Sequence, residues 1–277
     1  MSPSDLIEAS LELHWAAQLL ASAGHTFAEP SADDSHRAMT WDQDRRAFVS
    51  APFAGPYPFR VGLRPDDLTL LLIDRTPDPL GSLPLFGTKL SEGYEWLSLG
   101  LASYMGGAPP QLVRPEYDMP EHAAGRGSRF SGERLADFRA LASLYAGAAR
   151  ILEQHVTPLH SASHVRCWPH HFDIATLITL DSGGSPPPTI GVGMAPMGGG
   201  YASWYWYVTP WPYPDSAVLP ALTGPGAWHT EGWTGAVLTG EELHRLEEST
   251  RESAIKQFLA DSIAAATLAL SRTSPGS

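Results

Sequence analysis

Four consecutive aromatic residues, Trp204-Tyr205-Trp206-Tyr207, constrain the fold of this chain more than any other stretch. Bulky rings at successive positions favour an extended backbone, in which neighbours point to opposite faces. The run continues through Val208 and Thr209 to Pro210-Trp211-Pro212. It reads as a strand with Tyr205 and Tyr207 on one face and Trp204 and Trp206 on the other. One row is expected to pack on helices. The other can line a pocket for an apolar or aromatic ligand, or stack on a cation. Tyr205 and Tyr207 are therefore candidate ligand-binding residues.

Around this strand the pattern alternates between helical and extended. Residues 5–23 carry Leu6, Leu13, Ala17 and Leu20 at helical spacing. Asp5 and Glu8 are spaced as a capping box, and Gly24 is a natural stop. His14 and Gln18 lie four apart and form a polar seam on that helix. Further helices are expected at 89–103, 131–156 and from 240 to about 270, the last opened by the Thr239/Glu242 capping box. Extended stretches are expected at 35–50, 58–63, 68–73 and 163–181, then at TIGVGMAP (189–196), ASWYWYVTP (202–210) and WHTEGWTGAVL (228–238). Residues 104–130, rich in Gly, Pro and Arg, read as a long irregular excursion. The expected class is α+β: antiparallel sheet with helices packed on its faces.

The chain's 277 residues suit one compact domain, 1–277. Two related halves, 1–125 and 126–277, are suggested by a short internal echo. SHRAMTWD (35–42) and SHVRCWPHHFD (163–173) both run Ser-His, a few residues, Trp, then an acid.

A formal charge of −12, with no Lys/Arg cluster, argues against a nucleic-acid partner and suits a neutral or cationic ligand better. The lone Cys167 excludes an internal disulfide and Cys-based zinc sites, and makes a cytoplasmic location the simplest expectation. The start MSPSDLIEAS has acids where a leader would be basic. No apolar run approaches the roughly 20 residues that cross a bilayer, so no membrane partner is expected.

CWPHHFD (167–173) gathers the densest chemistry in the chain. If 170–173 is extended, His171 and Asp173 share one face, about 7 Å apart, while His170 sits with Trp168 and Phe172 on the other. WHTEGW repeats the spacing, with His229 and Glu231 two apart. Brought side by side, His171, Asp173, His229 and Glu231 would supply two imidazoles and two carboxylates. Such a set suits a divalent transition metal that activates water. Without metal, the same residues are candidate catalytic groups, each His a general base oriented by its acid, with hydrolysis as the chemistry. His170 and Trp168 are candidate ligand-binding residues beside them. The competing reading is a structural corner in which these histidines are satisfied core residues. The alternative function is a non-catalytic protein that binds a small molecule in an aromatic-lined pocket.

Specific signatures are absent. No His-Glu-x-x-His, Gly-x-Ser-x-Gly or Walker pattern occurs. GVGMAP (191–196) lacks the third glycine of a dinucleotide fingerprint and has Pro196 where a helix should continue. Gly198-Gly199-Gly200 reads as a flexible connection that could cover the aromatic strand. Cys167 reads as a small buried hydrophobe rather than a nucleophile.

Trp168–Asp173, the Gly-rich stretch Gly191–Gly200 and the strand Tyr205–Pro212 together resemble a family of uncharacterised bacterial proteins. These share a WPHHFD motif, a Gly-rich loop and an aromatic strand ending Pro-Trp-Pro. The resemblance is specific over about 50 residues. It implies that 168–212 forms one structural unit and assigns no role to any residue.

Overall fold

In a computed structural model the described residues are 6–53, 59–105, 107–158, 162–181 and 186–273. The proposed cap at Asp5 lies outside them. The protein is α+β, and every strand pair described below is antiparallel. Two compact units are present. The N-terminal unit comprises Glu8–Ala146 and Arg166–Phe172; the C-terminal unit is built mainly from Gly147–Val165 and Asp173–Ser277. No helix among the described residues is long and apolar enough to cross a membrane.

The element order repeats along the chain. Helix α1 (Ile7–Phe27) is followed by strands β1 (Met39–Asp42), β2 (Ala47–Ser50), β3 (Arg60–Arg64), β4 (Thr69–Ile73) and β5 (Gly81–Pro84), then by α2 (Leu90–Met105). Helix α3 (Leu135–His155) is followed by β6 (Arg166–Trp168), β7 (Asp173–Thr179), β8 (Thr189–Ala195), β9 (Tyr205–Trp211), β10 (Ala227–His229) and β11 (Gly235–Thr239). Helices α4 (Gly240–His244) and α5 (Glu248–Thr273) close the series. Each set is a helix, an antiparallel run of strands, and a terminal helix. The echo noted in the sequence falls at the same point of both sets. Four-residue turns, 43–46 and 169–172, separate β1 from β2 and β6 from β7. Both end on a left-handed residue that is not glycine, Arg46 (φ 49°) and Phe172 (φ 57°).

In the N-terminal unit the strand order is β6-β1-β2-β3-β4-β5. Cross-strand partners share a face, so Trp41, Phe48, Leu63 and Leu70 line one side. That side is buried with Tyr145 and Phe172, whose rings meet Phe48 at 4.8 and 5.4 Å. The opposite side carries a small separate cluster of Ala47, Val49, Leu71 and Ile73. Gly24 does not end α1, which runs on to Phe27. Its missing side chain is needed elsewhere: a Cβ there would stand 2.5 Å from the His36 carbonyl oxygen.

In the C-terminal unit the order is β10-β11-β9-β8-β7. Ile174, Val192, Met194, Trp206, Val208 and Leu238 fill the fully buried side, and α5 lies against β8, β9 and β11. The capping box is present: the Thr239 hydroxyl accepts from the Glu242 amide, and the Glu242 carboxylate accepts from the Thr239 amide. Helix α4 then ends at His244, and α5 starts afresh at Glu248.

Candidate functional site

Pro169–Phe172 is a turn, not a strand. The Phe172 amide donates to the Trp168 carbonyl at 2.7 Å, and β7 begins only at Asp173. The alternation that placed His171 and Asp173 on one strand face therefore does not operate. Pro169 and the left-handed Phe172 bring the chain round instead.

Three side chains clamp the main chain of this turn. His14 Nε2 lies 2.7 Å from the Pro169 carbonyl, and Gln18 Nε2 donates to the same oxygen at 3.0 Å. The Tyr145 hydroxyl donates to the Phe172 carbonyl at 2.6 Å. The His14 ring stacks on Phe172 with centroids 5.0 Å apart and planes within 6°. A carbonyl can only accept, so Nε2 of His14 carries the proton. Burial, only partly offset by this bond, pushes His14 down to about 4, with the neighbouring His171 and His170 lowering it further. The polar seam of α1 thus holds the turn in place.

His170 and His171 are exposed, their rings 4.3 Å apart. His170 and Trp168, both expected to contact ligand, do come together. They line a cleft of about 330 Å³ with Tyr117 and the acids Asp33, Asp34 and Glu116. Partial desolvation first, and then the adjacent His171, lower the His170 pKa. Cys167 is fully buried, as expected of a small hydrophobe.

The C-terminal unit gathers a different set. WHTEGWTGAVL is a hairpin rather than one strand, and Gly232 (φ 80°) turns it between β10 and β11. His229 and Glu231 consequently do not share a strand face. The Glu231 residue is exposed, and it is its backbone carbonyl that meets His229 Nε2, at 2.8 Å. Nε2 must then be the protonated nitrogen, which leaves Nδ1 to accept from the Tyr201 hydroxyl at 3.2 Å.

Tyr205 and Tyr207 face the side opposite Trp206, as the alternation predicts. Tyr205 packs with Ala195 and Val237, and Tyr201, Tyr207 and Trp233 pack around them. The rings form a chain: Tyr207–Tyr205 6.2 Å, Tyr205–Tyr201 4.6 Å, Tyr201–His229 5.4 Å and His229–Trp233 4.5 Å. At one end the Tyr207 hydroxyl donates to Asp173 Oδ2 at 2.5 Å. At the other the Trp233 indole donates to the Gly199 carbonyl at 2.9 Å. Burial raises the Tyr205 pKa well above that of an ordinary phenol, and the Asp173 charge and Tyr201 add to it. Burial also raises Tyr201, with Glu242 contributing. These phenols stay protonated and can donate.

Gly193 of GVGMAP acquires a reason here. A Cβ on Gly193 would stand 2.8 Å from the Tyr207 hydroxyl and 2.6 Å from the Ile174 carbonyl oxygen. Gly193 therefore lets the tyrosine lie across β8 and reach Asp173 on β7. Gly198, Gly199 and Gly200 all have positive φ, and Gly198 and Tyr201 exchange backbone hydrogen bonds. That tight turn delivers Tyr201 to the cluster.

Of the four residues expected to share one centre, Asp173, His229 and Glu231 belong to the C-terminal unit and His171 to the N-terminal unit. Among the described residues no group of three or more His, Cys, Asp or Glu side chains is arranged to hold a metal ion. Tyr201 and Trp233 were missed by the strand reading because they lie just outside β9 and β11. The glycines preceding them, Gly198–Gly200 and Gly232, were the available signal. Comparison with known proteins returns no match among family models, curated proteins or solved structures.

Proposed function

We infer that this protein binds a small neutral or cationic aromatic molecule on the ring-lined sheet face of its C-terminal unit, without transforming it. The observation that carries this reading is the linked series Tyr207, Tyr205, Tyr201, His229 and Trp233, gathered on the face opposite Trp206. Tyr201, Tyr207, His229 and Trp233, half-buried around the buried Tyr205, offer stacking area, and their phenol oxygens can still accept a hydrogen bond. The surplus of acids over bases supports a neutral or positive ligand over a polyanion. A cytoplasmic setting belongs to the same reading, since the chain has no cysteine pair to oxidise.

Hydrolysis by a His/carboxylate pair is less well supported. Both ring nitrogens of His229 are already hydrogen-bonded, to Tyr201 and to the Glu231 carbonyl, so no imidazole nitrogen in this cluster stands ready as a base.

The two readings separate in one experiment. Titration with indole and with benzamidine, followed by tryptophan fluorescence, should give saturable binding of at least one probe. A Tyr205→Leu, Trp233→Leu double variant that stays folded should lose it. Enzymatic cleavage of 4-nitrophenyl acetate above background, abolished by His229→Ala, would replace binding with hydrolysis as the function.

A further inference from the structure

A second ligand site follows from charge balance in the N-terminal unit. Most well-placed arginines in this protein sit against a carboxylate: Arg45 on Asp42, Arg46 on Asp66, Arg64 on Asp67 and Arg150 on Glu252. Arg60 on β3 and Arg166 on β6 do not. Among the described residues neither guanidinium has a hydrogen-bond or ion-pair partner. Acid is not scarce, because the chain holds 30 carboxylates against 18 Lys and Arg. Asp33 acts on Arg166 through space without bonding to it. Two half-buried guanidinium groups with no bonded carboxylate therefore mark a place where an anion is expected from outside.

Both arginines line one cavity of about 460 Å³, within the usual size range for small-ligand sites. The strand register explains how. Met39 pairs with Cys167, which sets Arg166 beside Thr40. Thr40 pairs with Val49, Val49 with Gly62, and Arg60 lies two residues from Gly62 on the same face. The two backbones are three strand spacings apart, on the order of 14 Å. The arginines therefore approach from opposite walls and leave room between them. Ser31, Ser35 and Thr40 add hydroxyls to the lining, and Phe53 adds an apolar surface. Glu29 also lines it, so the charged side chains of the lining sum to +1 when His36 is neutral.

We propose that this cavity binds a small organic carboxylate, its acid group held by Arg60 and Arg166 and its apolar body lying against Phe53. The single net positive charge matches a monoanion better than a phosphate dianion. The forked donors of arginine suit a planar carboxylate. The site is distinct from the aromatic face, and its test does not depend on it.

Benzoate, benzamide and inorganic phosphate are the probes, with affinity read by calorimetry on the full chain. Benzoate should bind saturably, benzamide should not, and phosphate should bind more weakly than benzoate. Arg60→Gln and Arg166→Gln should each weaken benzoate about tenfold or more. Exposed Arg139 on α3 is the control, and Arg139→Gln should change nothing. Circular-dichroism melts confirm folding, and where a Gln variant melts lower, the Lys variant keeps the charge without the fork. The proposal is overturned by no saturable benzoate binding, by benzamide binding equally well, by phosphate outcompeting benzoate, or by folded Gln variants that retain full affinity.

Discussion

The two units solve the same architectural problem with different residues. Each is a helix followed by an antiparallel run of strands, with one side of the sheet fully buried. On the opposite side the N-terminal unit places the aliphatic cluster Ala47, Val49, Leu71 and Ile73. The C-terminal unit places glycines, tyrosines and a tryptophan there, tipped with hydroxyls and an indole N–H. Aliphatic side chains can only pack. Protonated phenols over glycine can also bind. A repeated framework thus carries two chemistries: an aliphatic cluster with the Arg60/Arg166 cavity beside it on one sheet face, and hydroxyl-tipped rings on the other.

The contrast continues at the four-residue turns 43–46 and 169–172. The Phe172 turn is locked by ring packing and carbonyl clamps, so Phe172→Ala should be the most damaging change. It removes a fully buried ring that contacts His14, Phe48 and Tyr145 and should cost about 3–5 kcal/mol in chemical denaturation. A loss below about 1 kcal/mol would mean that the turn does not depend on its ring.

The clamp should also be pH-sensitive. His14 sits at about 4 in the folded protein and near 6.5 when unfolded, so the unfolded state takes up the proton first as pH falls. Stability should be level above pH 6.5 and decline from there towards pH 4, by at most about 3 kcal/mol. His170, exposed on the same loop and shifted the same way, contributes less. A His14→Gln variant should flatten most of that decline. An unchanged pH profile in the variant would remove His14 from the account.

The glycine floor gives the next test. Gly193→Ala should cost about 1–3 kcal/mol and move Tyr207 off Asp173, read as a change in tyrosine near-ultraviolet dichroism. Gly147→Ala, on α3 with nothing within 4 Å of the new methyl, should instead stabilise by about 0.5–1 kcal/mol. If the two substitutions behave alike, the floor is not a special surface. The smallest effect belongs to the surface pair Arg150–Glu252. Despite its two-pronged contact at 2.6 and 3.1 Å, Arg150→Ala should cost under about 1 kcal/mol, because both side chains are well solvated.

Much of the fold was legible because it rests on periodicity. The helices at 89–103 and 131–156, the strands TIGVGMAP and YWYVTP, the Thr239/Glu242 cap and the facing of Tyr205 against Trp206 all follow from spacing alone. The site was less legible because it depends on where regular structure stops. In PHHFD only Pro169 hints at a break in the strand; Phe is a poor residue for a left-handed position, so the end of the turn rests on tertiary packing that the sequence does not announce. The same applies to His229 and Glu231, which are separated by a hairpin instead of aligned along a strand. Gly24 looked like a helix stop and is a contact point. His14 and Gln18 were visible as a polar seam, but their partner, the Pro169 carbonyl, lies 155 and 151 residues away.

The four residues from Pro169 to Phe172 also act as a spacer. Because Asp173 starts β7 directly after them, adding or removing one residue there would invert that strand's parity. Asp173, Ala175 and Leu177 would turn to the side now filled by Ile174, Thr176 and Ile178, and Tyr207 would lose its carboxylate partner. The length of this loop is thus under tighter constraint than the identity of its two exposed histidines, and a deletion library should find it so.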